Sequence, residues 1–231
     1  MTRKEFDISL YHIIFGDLRK YQNLIETFLS TQKKELEENT NEVDVNDQMN
    51  DSEKYEKYLD LIGTESYEKF EKYHDIARLF PHNFRVSFLT QVISVIEKEL
   101  KRLCNDLGNI KNQTFMVADL KGSNDFLKCK EYLKKISSID FNSINAEWEY
   151  ILQCKSLRNN LVHSGNIIKM DNKKLVNFIK NNDSFDCEYE EFIDKKEDIV
   201  TFVIVNSKLI DKLINQSQKL FENLLGLKYN S

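Results

Sequence analysis

Proline occurs once in 231 residues, at position 81, and glycine only six times. Both residues interrupt regular structure, so a chain with so few of them can run in long helices. The abundance of Lys, Glu, Leu and Ile favours the same outcome. The four cysteines (Cys104, Cys129, Cys154, Cys187) lie far apart, without a CxxC pair and without histidine at ligand spacing. That pattern excludes a zinc ribbon or a dithiol redox motif and predicts buried free thiols and no metal site. No apolar run approaches the roughly 18 residues that a transmembrane helix requires. The apolar patch in "MTRKEFDISLYHIIFGD" is flanked by Asp7 and Asp17 and lacks a small-residue cleavage site, unlike a secretory signal. A cytoplasmic protein with no membrane partner is expected. Phosphate-loop, dinucleotide and Gly-x-Ser-x-Gly signatures are also missing, and no cofactor is expected.

What is present is a globular composition: 41% hydrophobic and 11% aromatic residues are enough for a substantial core and exclude a disordered polymer. The net charge of −5 is unevenly spread. Residues 1–97 hold 12 Lys+Arg against 19 Asp+Glu, and residues 175–231 hold 7 against 10. Residues 98–174 reverse the balance, with 14 against 9. A phosphate-bearing partner would be drawn to that segment despite the acidic whole.

Along the chain, Tyr11, Ile14, Leu18, Tyr21, Ile25 and Phe28 recur at helical spacing and predict a long first helix. An acidic, Asn-rich stretch follows, read as a loop at about 39–52. Apolar residues from Tyr55 to Phe80 predict a second helix. Pro81 opens a new and more apolar one, with Leu89, Val92, Ile96, Leu100 and Leu103 on one face and Gly108 as its stop. A shorter helix begins after Ser123 or Asn124, and another runs from about Ser143 to His163 with Asp140 or Asn142 as cap. "CEYEEFID" and "IVTFVIV" predict a small hairpin at about 187–205, before a last amphipathic helix. The expected fold is all-α: one domain over residues 1–231, an up-and-down helical bundle with a β-hairpin before its final helix.

One helix breaks its own pattern. On a wheel with Tyr150 at zero, Leu157, Leu161 and Cys154 fall within about 40° and Arg158 lands at about 80°, inside the apolar arc. An isolated charge there would cost several kcal/mol, on the order of 3–5 if a needed partner were missing. Arg158 therefore pairs with a carboxylate, extends its head to solvent, or faces a site left open for an anion. Asn159 and His163 share another edge, at about 180° and 220°. Arg158 and His163 are thus about 140° apart, so they act on one atom only if the helix end unwinds or a second copy of the chain supplies the other half, which hints at a composite site. A purely structural arginine and a last-turn histidine beside a helix dipole are the competing reading.

"RNNLVH", Arg158 to His163, on a late helix of a helical chain resembles the Arg-Asn-x-x-x-His signature of the HEPN superfamily, in its prokaryotic ribonuclease and toxin branch. The resemblance covers roughly residues 81–226. It implies metal-independent cleavage of RNA to 2′,3′-cyclic phosphate ends, in a homodimer, by a toxin or anti-phage abortive-infection effector. Carried onto this sequence, His163 would be the general acid or base, Arg158 would hold the phosphate, and Asn159 would orient either of them. Beside the motif, Lys155, Asn160, Lys128 and Lys135 are the candidate RNA contacts, with a solvated helix face as the competing reading of Lys128 and Lys135. An antitoxin or defence-system protein would be a further partner. The tyrosine two residues after the histidine, found in HEPN toxins neutralised by a nucleotidyltransferase, is replaced by Gly165. The alternative from a different class is a non-catalytic helical RNA-binding or scaffold subunit.

Overall fold

The computed structural model describes residues 2–40, 71–122, 124–137, 140–169, 171–188 and 200–230. They form a helical bundle with six α-helices among the described residues: α1 (Arg3–Thr40), α2 (Phe80–Ile110), α3 (Asp125–Ser137), α4 (Asn145–Ser164), α5 (Lys173–Lys180) and α6 (Ser207–Asn230). Three short strands accompany them, β1 (Ile167–Lys169), β2 (Phe185–Glu188) and β3 (Val200–Val205). No helix among the described residues is long and apolar enough to cross a membrane.

The chain gathers into two compact units, Met1–Lys20 with Arg85–Ser231, and Tyr21–Phe84. In the smaller unit, Leu29, Gln22 and His82 are buried, and Tyr21 meets Phe84 edge-on at 6.2 Å. The Tyr73 hydroxyl donates to Glu37 at 3.2 Å. The larger unit contains most of the core. Leu89, Val92, Ile93, Ile96, Leu100 and Leu103 of α2 are almost fully enclosed, as their spacing predicts. Tyr11 of α1 stacks on Phe221 of α6 with centroids 4.5 Å apart, and Phe15 meets the same ring at a tilt, 5.7 Å away.

The first helix differs from its predicted form in face and length. Tyr21 and Phe28 are exposed, whereas Phe15, Gln22 and Leu29 join Tyr11 and Leu18 inside. The buried positions 11, 18 and 15, 22, 29 follow seven-residue steps, a rotation away from the alternate row of aromatics. The helix also persists to Thr40, two residues into the predicted acidic loop. Lys33–Glu37 (3.6 Å) and Lys34–Glu38 (3.5 Å) pair four residues apart and support that last stretch. The rest of the loop, 41–52, and the helix predicted from Tyr55 to residue 70 lie outside the described residues.

Pro81 occupies the first turn of α2, but residues 71–79 before it are helical too. The join is a π-turn, Asp75–Leu79, across which the Phe80 N–H reaches the Asp75 carbonyl. Proline supplies no donor to the regular ladder, and the wider turn absorbs the missing bond. The α2 helix continues past Gly108 to Ile110. Gly108 has a packing role instead: a Cβ there would overlap the Tyr132 hydroxyl.

The caps of the next two helices follow the sequence closely. Asn124 Oδ1 accepts from the N–H groups of Phe126 (3.2 Å) and Leu127 (3.4 Å) at the start of α3. Asp140 caps a 3-10 turn, Phe141–Ile144, that leads into α4. Gly165 ends α4 with φ +66°, a conformation that side-chain-bearing residues seldom adopt.

The sheet order is β1-β3-β2, all antiparallel, with Phe185 opposite Val205 and Ile167 opposite Phe202. Strands β2 and β3 occupy the region read as a hairpin, while residues 189–199 between them lie outside the described residues. Neither β1 nor α5 is among the elements expected from the sequence. Asn172 caps α5 by accepting from the Leu175 N–H at 3.4 Å, and Leu175, Val176, Phe178 and Ile179 fill its buried face. An Asn before apolar residues at 175, 176, 178 and 179 was a usable helix signal.

Candidate functional site

Helix α4 places the candidate residues. It packs along α6, with Trp148, Ile151, Cys154, Leu157 and Leu161 buried. Its first turn holds a carboxylate that the sequence reading passed over. Glu147 is buried, and its Oε1 lies 2.8 Å from Lys219 Nζ on α6. That hydrogen bond, outweighing the cost of burial, holds the Glu147 carboxyl below the usual range.

Arg158 lies further along the same side of α4, half-buried. Its Nε is shut away from solvent without a hydrogen-bond partner, and among the described residues no carboxylate pairs with it. Of the three options for an arginine in that arc, the core ion pair is therefore absent from the described structure. Val162, about 40° further round the wheel, is 52% exposed although its neighbour Leu161 is buried. Ile167, in β1 just beyond the helix, is exposed as well. The end of α4 thus presents an arginine with apolar side chains open to solvent.

His163 is exposed in the last turn, one residue before the helix ends. Asn159 is exposed on the adjoining edge, and Asn160 is half-buried with its Oδ1 enclosed and unbonded. Five residues separate Arg158 from His163, about 7.5 Å of helix rise as well as about 140° of rotation. Within one chain, the helix holds their side chains on different faces. It does not bring them to a common atom.

The three lysines expected to contact RNA stand in three different settings. Lys155 is already neutralised: its Nζ lies 2.6 Å from Glu97 Oε1 and 4.6 Å from the Phe126 ring centroid, in a largely buried pair. Lys135 is exposed and near Glu131 (3.7 Å), a solvated helix-face pair. Lys128 is half-buried with no ion pair among the described residues. Lys130 and Lys134 lean over the Phe141 ring at 5.4 and 5.5 Å.

Other groups fall outside this cluster. His12 is more than half exposed, with Nε2 3.4 Å from Glu222 and Nδ1 3.0 Å from Gln218. Tyr11, the preceding residue, is buried, and that burial pushes its phenol up to about 12. Cys104 and Cys129, distant in sequence, meet in the core, with the Cys104 sulfur 3.8 Å from the Cys129 carbonyl. Cys154 is buried as well, and its thiol is pushed up to about 12 by that burial. Among the described residues, no group of three His, Cys, Asp or Glu side chains could hold a metal ion. No family model matches the chain, and neither a curated protein nor a solved structure matches it.

Proposed function

We propose that the protein is an endoribonuclease of HEPN type, cutting RNA without a metal and leaving 2′,3′-cyclic phosphate ends. The observation that carries this reading is Arg158: a half-buried guanidinium with an enclosed, unbonded Nε and no carboxylate partner among the described residues. No charge neutralises this guanidinium among the described residues, and an anion from outside could meet its terminal nitrogens, which are not enclosed as Nε is; the phosphodiester of RNA has the fitting charge and geometry. His163, exposed on the same helix, is the residue type suited to proton transfer near neutral pH.

The chemistry requires that the ribose 2′-oxygen attack the adjacent phosphorus while its proton passes to a base. The 5′-oxygen then leaves with a proton from an acid. Arg158 stabilises the charge on the non-bridging oxygens as the phosphorane forms. In a homodimer, Arg158 of one subunit holds the phosphate while His163 of the partner subunit takes the 2′-hydroxyl proton, and the leaving 5′-oxygen takes its proton from water. Asn159 keeps the imidazole or the phosphate oriented. The separation of Arg158 and His163 on one helix, with Val162 of that helix and Ile167 beyond its end both exposed, supports a site assembled from two copies.

The growth-arrest or anti-phage role, with an antitoxin or defence-system partner, rests on the resemblance of "RNNLVH" to that superfamily. The test is direct: purified protein is incubated with RNA in excess EDTA and the ends of the fragments are identified. Cyclic phosphates in EDTA are expected. Cleavage only with added metal, or none on any RNA, would replace the enzyme by a helical RNA-binding or scaffold subunit.

A further inference from the structure

A cleft of about 690 Å³ opens beside α4, lined by that helix, by α5 with the turn after it, and by Lys212 of α6. Its volume lies within the roughly 300–1,000 Å³ typical of ligand sites. Lys174 and Lys212 reach it from two sides, and neither has an ion-pair partner among the described residues. The Lys212 ammonium stands 5.1 Å from the Tyr150 ring centroid. That ring is held edge-on by Phe178 at 5.6 Å. Glu149, the carboxylate on the rim, is 3.9 Å from Lys130. The balance of free charge in the cleft is therefore positive.

The remaining polar lining consists largely of neutral amides: Gln153 on α4, with Asn177 and Asn181 on and just after α5. Each carries both donors and acceptors, the combination that matches the edge of a nucleobase. Two cations and a set of amides around an aromatic floor fit one nucleotide, phosphate and base together. Gln153 and Ser156 also lie on the His163 side of α4 rather than the Arg158 side. Ser156 precedes His163 by seven residues, about 10 Å along the axis, within reach of neighbouring nucleotides on an extended strand.

We propose that this cleft is a base-reading subsite, holding one unpaired ribonucleotide of the RNA near the scissile step. Lys174 and Lys212 bind its phosphate, and Gln153, Asn177 and Asn181 read its base. The inference rests on the ribonuclease reading and adds selectivity to it.

The test uses the full chain and two exposed substitutions, Lys212→Ala and Asn181→Ala, with melting curves to show that both fold. Cleavage of a randomised single-stranded RNA by wild-type protein should show a base preference close to the cut. Asn181→Ala should flatten that preference by roughly fivefold or more, the discrimination of one lost base contact. Lys212→Ala should raise KM several-fold while leaving kcat nearly intact. RNA cut with unchanged preference and unchanged KM in both variants would overturn the subsite and leave the ribonuclease standing. If wild-type protein cuts nothing, fluorescein-labelled homopolymer oligoribonucleotides decide the matter by anisotropy. Base-dependent binding weakened by Lys212→Ala supports the subsite without the enzyme, and equal binding by both proteins refutes it. Calorimetry with AMP, GMP, CMP and UMP covers the other source of a nucleotide. Tight binding of a free nucleotide, with no binding of the oligonucleotides, would also refute it.

Discussion

Arg158 is where the sequence and the structure bear on each other most closely. Its place in an apolar arc could be read from spacing, and so could the three ways of tolerating it. The choice among them could not, because it depends on which carboxylates the rest of the chain brings near. Glu147 lies on the same side of α4 but is taken by Lys219, and Glu97 is taken by Lys155. Arg158→Ala should therefore strand no buried anion. Thermal melts should show stability unchanged or slightly raised, rather than the loss of about 3–5 kcal/mol that follows a broken buried pair. RNA affinity and cleavage should both fall. His163→Ala should cut the cleavage rate by roughly 10²–10⁴ with little effect on affinity, and cost at most about 1 kcal/mol of dipole contact. An unfolded Arg158→Ala together with a fully active His163→Ala would mean that the motif is structural.

Glu147 gives a residue-scale prediction independent of RNA. Its carboxyl is lowered in the folded state by Lys219, so the unfolded chain takes up the proton first as pH falls. The stabilisation is complete above the ordinary glutamate range and is lost as pH drops through the depressed folded value. Melting temperature between pH 6 and pH 3 should fall more steeply for the wild type than for Glu147→Gln. Parallel curves would show that the pair carries no pH-linked stability.

At the scale of elements, periodicity located the helices that bury one continuous face. The central α2, the capped α3 and the motif helix α4 all lie close to where their spacing predicts. Short elements whose stability comes from their neighbours were not legible in the same way. The three residues of β1 have an alternating burial that is meaningful only against β3, and α5 is an eight-residue helix held by its buried face. The end of α1 was missed for another reason: a polar, highly charged run reads as loop unless its i,i+4 pairs are counted. The polar segment at 41–52 has few apolar residues to anchor it, and long polar insertions add little entropic cost. Shortening it should leave melting temperature and RNA cleavage unchanged; a variant that no longer folds would show that the segment belongs to the core.

For the molecule as a whole, the composition announced a helical protein and the structure has that character. The expectation of a homodimer rests on the wide angle between two residues of one motif. A homodimer of the 27.4 kDa chain that uses the end of α4 should sediment as a dimer at micromolar concentration. Val162→Asp, placed on the exposed side chain beside Arg158, should shift it toward monomer and reduce cleavage together. A wild-type protein that sediments only as monomer would remove the composite site, since one helix cannot bring both groups to one phosphate.

The most direct measurement mixes two inactive proteins. Arg158→Ala and His163→Ala are each too impaired to cleave RNA well, but a heterodimer of the two contains one site with an intact arginine from one chain and an intact histidine from the other. After subunit exchange at equal concentrations, half the dimers are mixed and each has one working site of two. Cleavage should recover to about a quarter of the wild-type rate, as a two-fold symmetric composite site requires. A mixture that has exchanged subunits and stays as inactive as its parts would contradict a site shared between chains.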